Sequence, residues 1–409
     1  MEAPEDHESS GVDMATTFDD ILAPLGAERF RREYLGKRPL HLEGAAEKFA
    51  SVMNWSILGR LLGINTIWSA SSLLMVLDKE TIPAQSYAKV EPGRDGGQVL
   101  RPDPVLVKQY LQRGATLVAN DIDQLTPELS AFSATMERAL GGKVQANLYM
   151  SSRRKQAFRV HYDTHDVFAV HVEGEKLWSV FEGCEDAPIA HEIFKSQPQS
   201  HHEEKKGELW REVRLTPGDL LYLPRGQYHY ALADDGGCIH IAFGVTYPIG
   251  LDAVSALYQQ MITEPLSRRN LPVNDEAALR EHLAGLGERA RALLASAEML
   301  EAVRGFGRTF HYQRETYDLP DLLDNAHVAY EVTAPGTRLV EQGGRFGLVR
   351  SGDNRAVEVP ADVAALTKWV LARTSFRRTE IDGAFAEAPK AVVDRFLEDM
   401  QRMALLRIM

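Results

Sequence analysis

The sequence predicts an α+β fold: a small antiparallel barrel or jelly roll, then a helical block, then a mixed C-terminal module. Three observations carry this expectation. From about 143 to 247 the chain breaks into short β-branched and aromatic stretches (VQANLYM, FRVHYD, VFAVHV, KLWSVF, LLYLP, YHYALA, CIHIAFGV) separated by turn residues. After Pro248, apolar residues recur at helical spacing instead. From 321 onward short strands mix with two helices, which at that size suits a winged-helix-like module.

Taken in order, residues 1–16 are polar and acidic without periodicity, as expected of a disordered tail. The pattern turns helical at Phe18; Pro39 then excludes a helix interior, so Leu40, His41 and Leu42 read as a short strand. Asn54 opens a helix with Trp55, Leu58, Leu61 and Leu62 on one face. Thr126-Pro127-Glu128 starts another, with a threonine cap and a proline in the first turn, and Gly141-Gly142 stops it. Pro217-Gly218-Asp219 launches one strand and Pro224-Arg225-Gly226 breaks another.

Val254, Leu257, Tyr258 and Met261 make an amphipathic helix; Leu279, Leu283, Leu286, Ala290, Leu293, Ala297 and Leu300 make a longer seam. Such a block either meets a second subunit or packs on the barrel. Beyond it, TRLVEQGGRFGLVRSG and AVEVP read as strands around a Ser351-Gly352-Asp353-Asn354 turn. Helices follow at about 361–373 (Val363, Leu366, Val370) and 389–403 (Val392, Phe396, Met400). The expected divisions are therefore 1–16 (tail), 17–247 (main domain), 248–320 (helical region) and 321–409 (winged-helix-like domain).

A composition of 44% hydrophobic and 25% charged residues is that of a soluble globular chain. No apolar run approaches the roughly 20 residues of a membrane span, and the acidic N-terminus is unlike a signal peptide. Cys184 and Cys238 form neither a disulfide framework nor a metal cluster, so a cytoplasmic location is expected. The net charge of −12 argues against non-specific nucleic-acid binding and favours a basic partner, although solubility alone also accounts for it. Arg373, Arg377 and Arg378 are expected on a solvated face rather than against nucleic acid.

Within this frame two distant fragments combine. In HYDTHDVFAVHVEGEKLW, His161 and Asp163 are two residues apart, so on a strand they point to one side. His229, ending TPGDLLYLPRGQYH, arrives from a distant strand. Two imidazoles and one carboxylate on one face of an octahedron are the donor set of non-heme Fe(II) oxygenases, which need neutral histidines and so lose metal as pH falls. His165 shares the alternation, but a third ligand from one short strand would strain facial coordination, and it is assigned to the rim. Such an iron needs an electron source for O2, usually 2-oxoglutarate, whose far carboxylate requires a cation or hydroxyl. Lys176, among Leu177, Trp178, Val180 and Phe181, is the candidate, because a lysine in an apolar setting is costly without an anionic partner. Asn147 and Tyr149 share one face of the preceding strand and offer further hydrogen bonds.

These residues carry a resemblance. Asn147-x-Tyr149, the HYD at 161–163, the EGEKxW at 173–178, PGDLLYLPRGQYH at 217–229 and YLGKRPLH near the N-terminus resemble the JmjC-type, cupin-superfamily ribosomal oxygenases. The resemblance spans roughly 18–247 and implies a double-stranded β-helix (jelly-roll, cupin) catalytic core, a helical dimerisation region and a C-terminal winged helix. It implies Fe(II) on His161, Asp163 and His229, and 2-oxoglutarate as cosubstrate with O2, held by Lys176 and Tyr149 with Asn147. His240 matches a position where the family often has histidine, although a packed barrel histidine fits equally; Cys238 stands where serine is common. Two departures, His171 in place of glutamine and the basic Arg153-Arg154-Lys155 loop, are expected near the substrate approach.

The activity so implied is hydroxylation of an arginine or histidine side chain of a ribosomal protein or other polypeptide, by a homodimer that binds neither membrane nor nucleic acid. N-methyl demethylation by the same centre is the second enzymatic reading. Outside catalysis stand a cupin metal-binding module and a regulator with a DNA-binding winged helix.

Overall fold

The computed structural model describes residues 17–93, 96–152, 157–234, 236–314, 328–333, 337–349 and 356–409. The expected tail at 1–16, the Arg153-Arg154-Lys155 loop and the Ser351-Gly352-Asp353-Asn354 turn lie outside the described residues. The chain divides into two compact units, Met1–Arg314 and Glu315–Met409.

In the first unit the strands are β1 (Leu40–Leu42), β2 (Leu73–Leu77), β3 (Glu80–Thr81), β4 (Ala88–Pro92), β5 (Gln98–Pro102), β6 (Thr116–Ala119), β7 (Lys143–Ser151), β8 (Asp166–Glu173), β9 (Lys176–Cys184), β10 (Leu209–Leu215), β11 (Leu220–Leu223), β12 (Gln227–Ala233) and β13 (Cys238–Thr246). An eight-stranded sheet runs β1-β11-β8-β13-β7-β6-β2-β3, and a three-stranded sheet runs β10-β9-β12. All these pairings are antiparallel. The two sheets together form the jelly roll expected from the strand pattern.

Period-two alternation separates two interiors. One side of β7, β8 and β13 sends Val144, Ala146, Leu148, Phe168, Val170, Val172, Ile239, Ile241, Phe243 and Val245 into a large core. Helices supply the rest of it: Phe18, Ile21, Phe30, Leu58, Leu61, Leu129, Phe132 and Met136. The other side of those strands faces the small sheet and lines a chamber with Asn147, Tyr149, Val167, His240, Ala242 and Gly244.

Several elements depart from expectation. FRVHYD forms no named strand; His161 makes a single bridge with His229, because only that one residue pair exchanges backbone hydrogen bonds, at 3.1 and 2.9 Å. The large sheet also starts well before 143, through β1, β2, β3 and β6. β10 escaped notice because its exposed positions carry Trp210, Arg211, Glu212 and Arg214, leaving only Val213 and Leu215 buried. The helices Glu192–Lys195 and Gln199–Lys205, between β9 and β10, bury no residue and so lack an apolar stripe. Trp55 is exposed rather than on the buried face of its helix, Trp55–Gly63, whose packing rests on Leu58 and Leu61.

The helix stops read correctly. Thr126 caps Pro127–Leu140 by accepting from Leu129 N, and Gly141 ends it in the left-handed region at φ 67°, where glycine has no steric cost. The seam from Leu279 to Leu300 is two helices, Glu276–Leu294 and Ala297–Thr309, because Ser296 caps a new start. With Gly250–Met261 they leave Leu251, Val254, Tyr258, Leu283, Leu300 and Phe306 exposed.

One buried ion cluster was invisible in the sequence. The Arg314 guanidinium donates to Asp123 Oδ2 at 2.6 Å and to Glu137 Oε2 at 2.9 Å, with all three side chains under a tenth exposed. Arg314→Ala strands two buried carboxylates and should lower unfolding free energy by about 3–5 kcal/mol, read by chemical denaturation. An unchanged midpoint would show the cluster to be structurally idle.

The second unit has a three-stranded sheet of β14 (Ala329–Val332), β18 (Ser375–Arg377) and β19 (Leu406–Ile408), and a meander of β15 (Arg338–Gln342), β16 (Arg345–Val349) and β17 (Val357–Val359). Helices Ala364–Leu371, Arg378–Ala384 and Lys390–Arg402 close its own core through Leu366, Val370, Ile381, Phe396 and Met400. Arg378 corrects the expectation of a solvated arginine face: it is 4% exposed and pairs with Asp382 and Asp394 at 2.8 and 2.5 Å. Arg373 lies over the Trp369 ring, 3.6 Å from its centroid.

Candidate metal centre and adjoining chamber

His161 and Asp163 lie on the segment leading into β8, and His229 lies on β12; the bridge between His161 and His229 joins the two fragments. Backbone hydrogen bonds fix the register further, since Gly226 N donates to Asp163 O at 2.8 Å. One ligand atom from each of His161, Asp163 and His229 falls within 4.8 Å of the others, and no other such group of three or more occurs among the described residues. His229 Nε2 stands 3.6 Å from Asp163 Oδ2.

The ring orientations are set from behind. Nδ1 of His161 is 2.8 Å from Arg159 O, and Nδ1 of His229 is 2.9 Å from Gln227 O. A carbonyl only accepts, so each Nδ1 is the donor there, which leaves each Nε2 for the site. Trp178 stacks on His229 with centroids 5.6 Å apart and limits its rotation. Burial, then neighbouring His161, lowers the His229 pKa to about 4, so the ring is neutral at physiological pH. Burial works against the charge on Asp163, but the imidazoles of His161, His165 and His229 outweigh it and keep the carboxyl below its usual range. Two neutral imidazoles and an ionised carboxylate are the donor set a ferrous ion takes.

Behind this trio a chamber of about 310 Å³ is lined by Asn147, Tyr149, Lys176, Trp178, His229 and His240, among others. Every candidate residue from the sequence thus meets in one place. Lys176 opens β9 at 5% exposure, and Gly174 makes the turn before it at φ 67°, where a Cβ would strike Gly237 O. Its Nζ is 3.4 Å from His240 Nδ1, and no carboxylate among the described residues pairs with it. Burial depresses the amine below the ordinary lysine range. An ammonium desolvated this far calls for an anion in the chamber, which fits the far carboxylate of a keto diacid. His240 is buried against Tyr149, rings parallel at 4.8 Å, so it lines the chamber rather than packing away from it. Asn147 Oδ1 accepts from Asp121 N at 3.1 Å.

His171 corrects the placement near the substrate approach. It is fully buried in β8, with Nε2 2.9 Å from Gly174 O and Nδ1 unpartnered among the described residues. Burial lowers its pKa from 6.5 to about 4. The unfolded chain therefore protonates first as pH falls, and stability declines from about pH 6.5 to about 4, by about 3 kcal/mol in all. His171→Gln should flatten that part of the curve in urea unfolding at stepped pH; equal slopes for both proteins would contradict it.

A second cavity of about 800 Å³ lies outside the trio, lined by Tyr162, Ile189, Phe194, His202, Arg225 and Asp252 among others. The helices between β9 and β10 form part of its wall, anchored by Tyr162 Oη donating to Phe194 O at 2.8 Å and Gln199 Nε2 donating to Val160 O at 3.1 Å. Sequence reasoning missed this wall for want of an apolar period.

Comparison with known proteins finds similar sequences and structures. Residues 121–252 match the family described as JmjC domain. Ribosomal oxygenase 2 of Mus musculus is 28% identical over 231 residues, covering 54% of this chain and 44% of that protein. The bifunctional lysine-specific demethylase and histidyl-hydroxylase NO66 of Drosophila persimilis is 24% identical over 243 residues, covering 58% and 32%. The chain thus spans about half or less of the length of these curated relatives. Among solved structures, that of YcfD, a ribosomal oxygenase from Escherichia coli in complex with cobalt and succinic acid, is 16% identical with a TM-score of 0.49, covering 93% of this chain and 97% of that one. The stretch that matches this family, residues 121–252, contains His161, Asp163 and His229.

Proposed function

We propose that this chain is an Fe(II)- and 2-oxoglutarate-dependent oxygenase that hydroxylates an amino-acid side chain of a polypeptide, a basic ribosomal protein being the favoured substrate. The observation that carries the reading is the trio itself: two imidazoles held through Nδ1, one ionised carboxylate, and a chamber ending at a buried lysine with no carboxylate partner among the described residues. Names of relatives, ribosomal oxygenase and histidyl-hydroxylase, support the same class.

His161, Asp163 and His229 would hold the iron, and His161 and Asp163 line both cavities. When bound, the iron supplies the redox chemistry by which 2-oxoglutarate, O2 and a C–H bond become succinate, CO2 and C–OH. Lys176 receives the far carboxylate, with Tyr149, Asn147 and His240 as hydrogen-bond partners. Val167, Ala231 and Ala242 supply apolar wall to the chamber. The outer cavity takes the polypeptide. Incubating the iron-loaded protein with 2-oxoglutarate, air and candidate ribosomal proteins should give succinate and a mass gain of about 16 Da, one oxygen atom. Loss of a methyl group would favour demethylation, and absence of succinate would favour a metal-binding module without turnover.

The exposed Leu251, Val254, Tyr258, Leu283 and Leu300 support homodimerisation through the helices at 250–309. Light scattering should give twice the chain mass; a monomer at micromolar concentration would contradict it. The three helices and strand meander of the second unit support a winged-helix-like module, and the burial of Arg378 weighs against nucleic-acid contact there.

A further inference from the structure

Where β12 runs beside β9, the ladder slips just before His229. Gln227 faces Cys184 and His229 faces Val180, so Tyr228 alone spans Phe181, Glu182 and Gly183. Such a bulge bends the strand that carries it and takes backbone groups out of the regular ladder. A side chain works inside this one. Buried Gln227 turns its amide nitrogen to the strand opposite and donates to Phe181 O and to Gly183 O, the second at 3.0 Å. Both hydrogens of the amide are thereby used, and two carbonyls of the slipped segment are satisfied.

The main chain of the same residue reaches the other way. Gln227 O stands 2.9 Å from His229 Nδ1 and aims that ring, whose Nε2 lies 3.6 Å from Asp163 Oδ2. Trp178, also on β9, stacks on the ring. β9 thus grips His229 twice, once by the indole and once through the Gln227 amide. His161 is held differently: its carbonyl partner belongs to Arg159, an exposed residue on a segment outside any named strand. The asymmetry makes His229 the more firmly set histidine of the trio.

We propose that Gln227 is a positioning residue: by holding Phe181 O and Gly183 O it fixes the carbonyl that aims His229, so that the ring is set before a metal arrives. The inference rests on the metal-centre reading and adds to it a side chain that belongs to neither the trio nor the chamber wall. Ionised glutamate and methionine match glutamine in length yet bring no N–H. Each therefore strips the two carbonyls of this donor while leaving the trio's own side chains in place.

The test uses the full chain with ¹⁵N-labelled histidine. In metal-free protein the exchange of the His229 Nδ1–H proton, assigned through His229→Ala, is followed by NMR. Co(II) affinity is read from the visible ligand-field absorption, and folding from urea denaturation. Wild type should show a slowly exchanging proton. In Gln227→Met and Gln227→Glu that proton should exchange faster, and Co(II) should bind about tenfold more weakly, as for loss of an outer partner of a metal ligand. Tyr228→Phe, which removes a neighbouring buried hydroxyl with no partner among the described residues, should change neither. A purely architectural role would lower the urea midpoint and leave both the proton and the Co(II) affinity as they were. That result overturns the proposal, as does an equal loss in Tyr228→Phe. Should neither Gln227 variant fold, the wild-type proton decides: slow exchange without metal upholds a ring set in advance, and rapid exchange contradicts it. Failure of the metal reading looks different, as a wild-type chain that takes up no Co(II) while its slow proton is intact.

Discussion

Replacing Asp163 with alanine is expected to remove metal binding and reduce 2-oxoglutarate turnover by at least ~100-fold, the upper end of what even an outer partner of a metal site costs. Asp163 is the one anionic donor in the trio; without it two imidazoles remain, which cannot offset the desolvation of a dication in this half-buried place. The fold should survive, because the Asp163 backbone, not its side chain, carries the hydrogen bond from Gly226. Anaerobic Fe(II) titration and succinate assay check this together, with circular dichroism as the control. Full turnover in the variant would remove Asp163 from the ligand set.

Lys176→Met should act in opposite directions on binding and stability. Taking away the only proposed cationic partner of the keto acid removes one side of a buried charge pair, a cost of about 2–5 kcal/mol, or between roughly 30- and several-thousand-fold in Kd. The empty protein, in contrast, should be as stable as wild type or more so, since it no longer shelters a desolvated ammonium. The sign can be followed by pH. The folded amine has a lowered pKa, so the unfolded chain binds the extra proton between that value and the ordinary lysine value. Wild-type stability without ligand therefore rises with pH across that window, and the methionine variant should lack that rise. Calorimetry with 2-oxoglutarate on the metal-loaded protein, beside denaturation of the ligand-free one, reads both. A variant with unchanged affinity would move the carboxylate site elsewhere.

The site was more legible than the scaffold, and the reason is local. A strand period of two places Asn147 with Tyr149 from spacing alone, and Lys176 announces itself by the apolar residues around it; His161 and Asp163 meet too, but on a segment that is not a strand. The jelly roll followed from short strands and turn residues, and its helix ends from Thr126, Asn54 and Gly141. What stayed hidden depends on tertiary partners. Arg314 reads as one more surface cation until Glu137 and Asp123 converge on it, and Arg378 likewise until Asp394 does. β10 sits at the edge of the small sheet, so most of its residues meet solvent and its pattern is charged. His171 was placed by analogy near the outside, whereas its strand position, two residues before Glu173 in β8, turns it into a sealed interior.

The most direct test is anaerobic titration of the wild-type chain with Fe(II) and 2-oxoglutarate, following the visible charge-transfer absorption of a keto acid chelated to ferrous iron. A saturable band at one iron and one keto acid per chain, lost in His229→Ala and weakened in Lys176→Met, is the expected result. A chain that binds no iron, or a band that persists when His229 is removed, would contradict the convergence of those side chains on one metal.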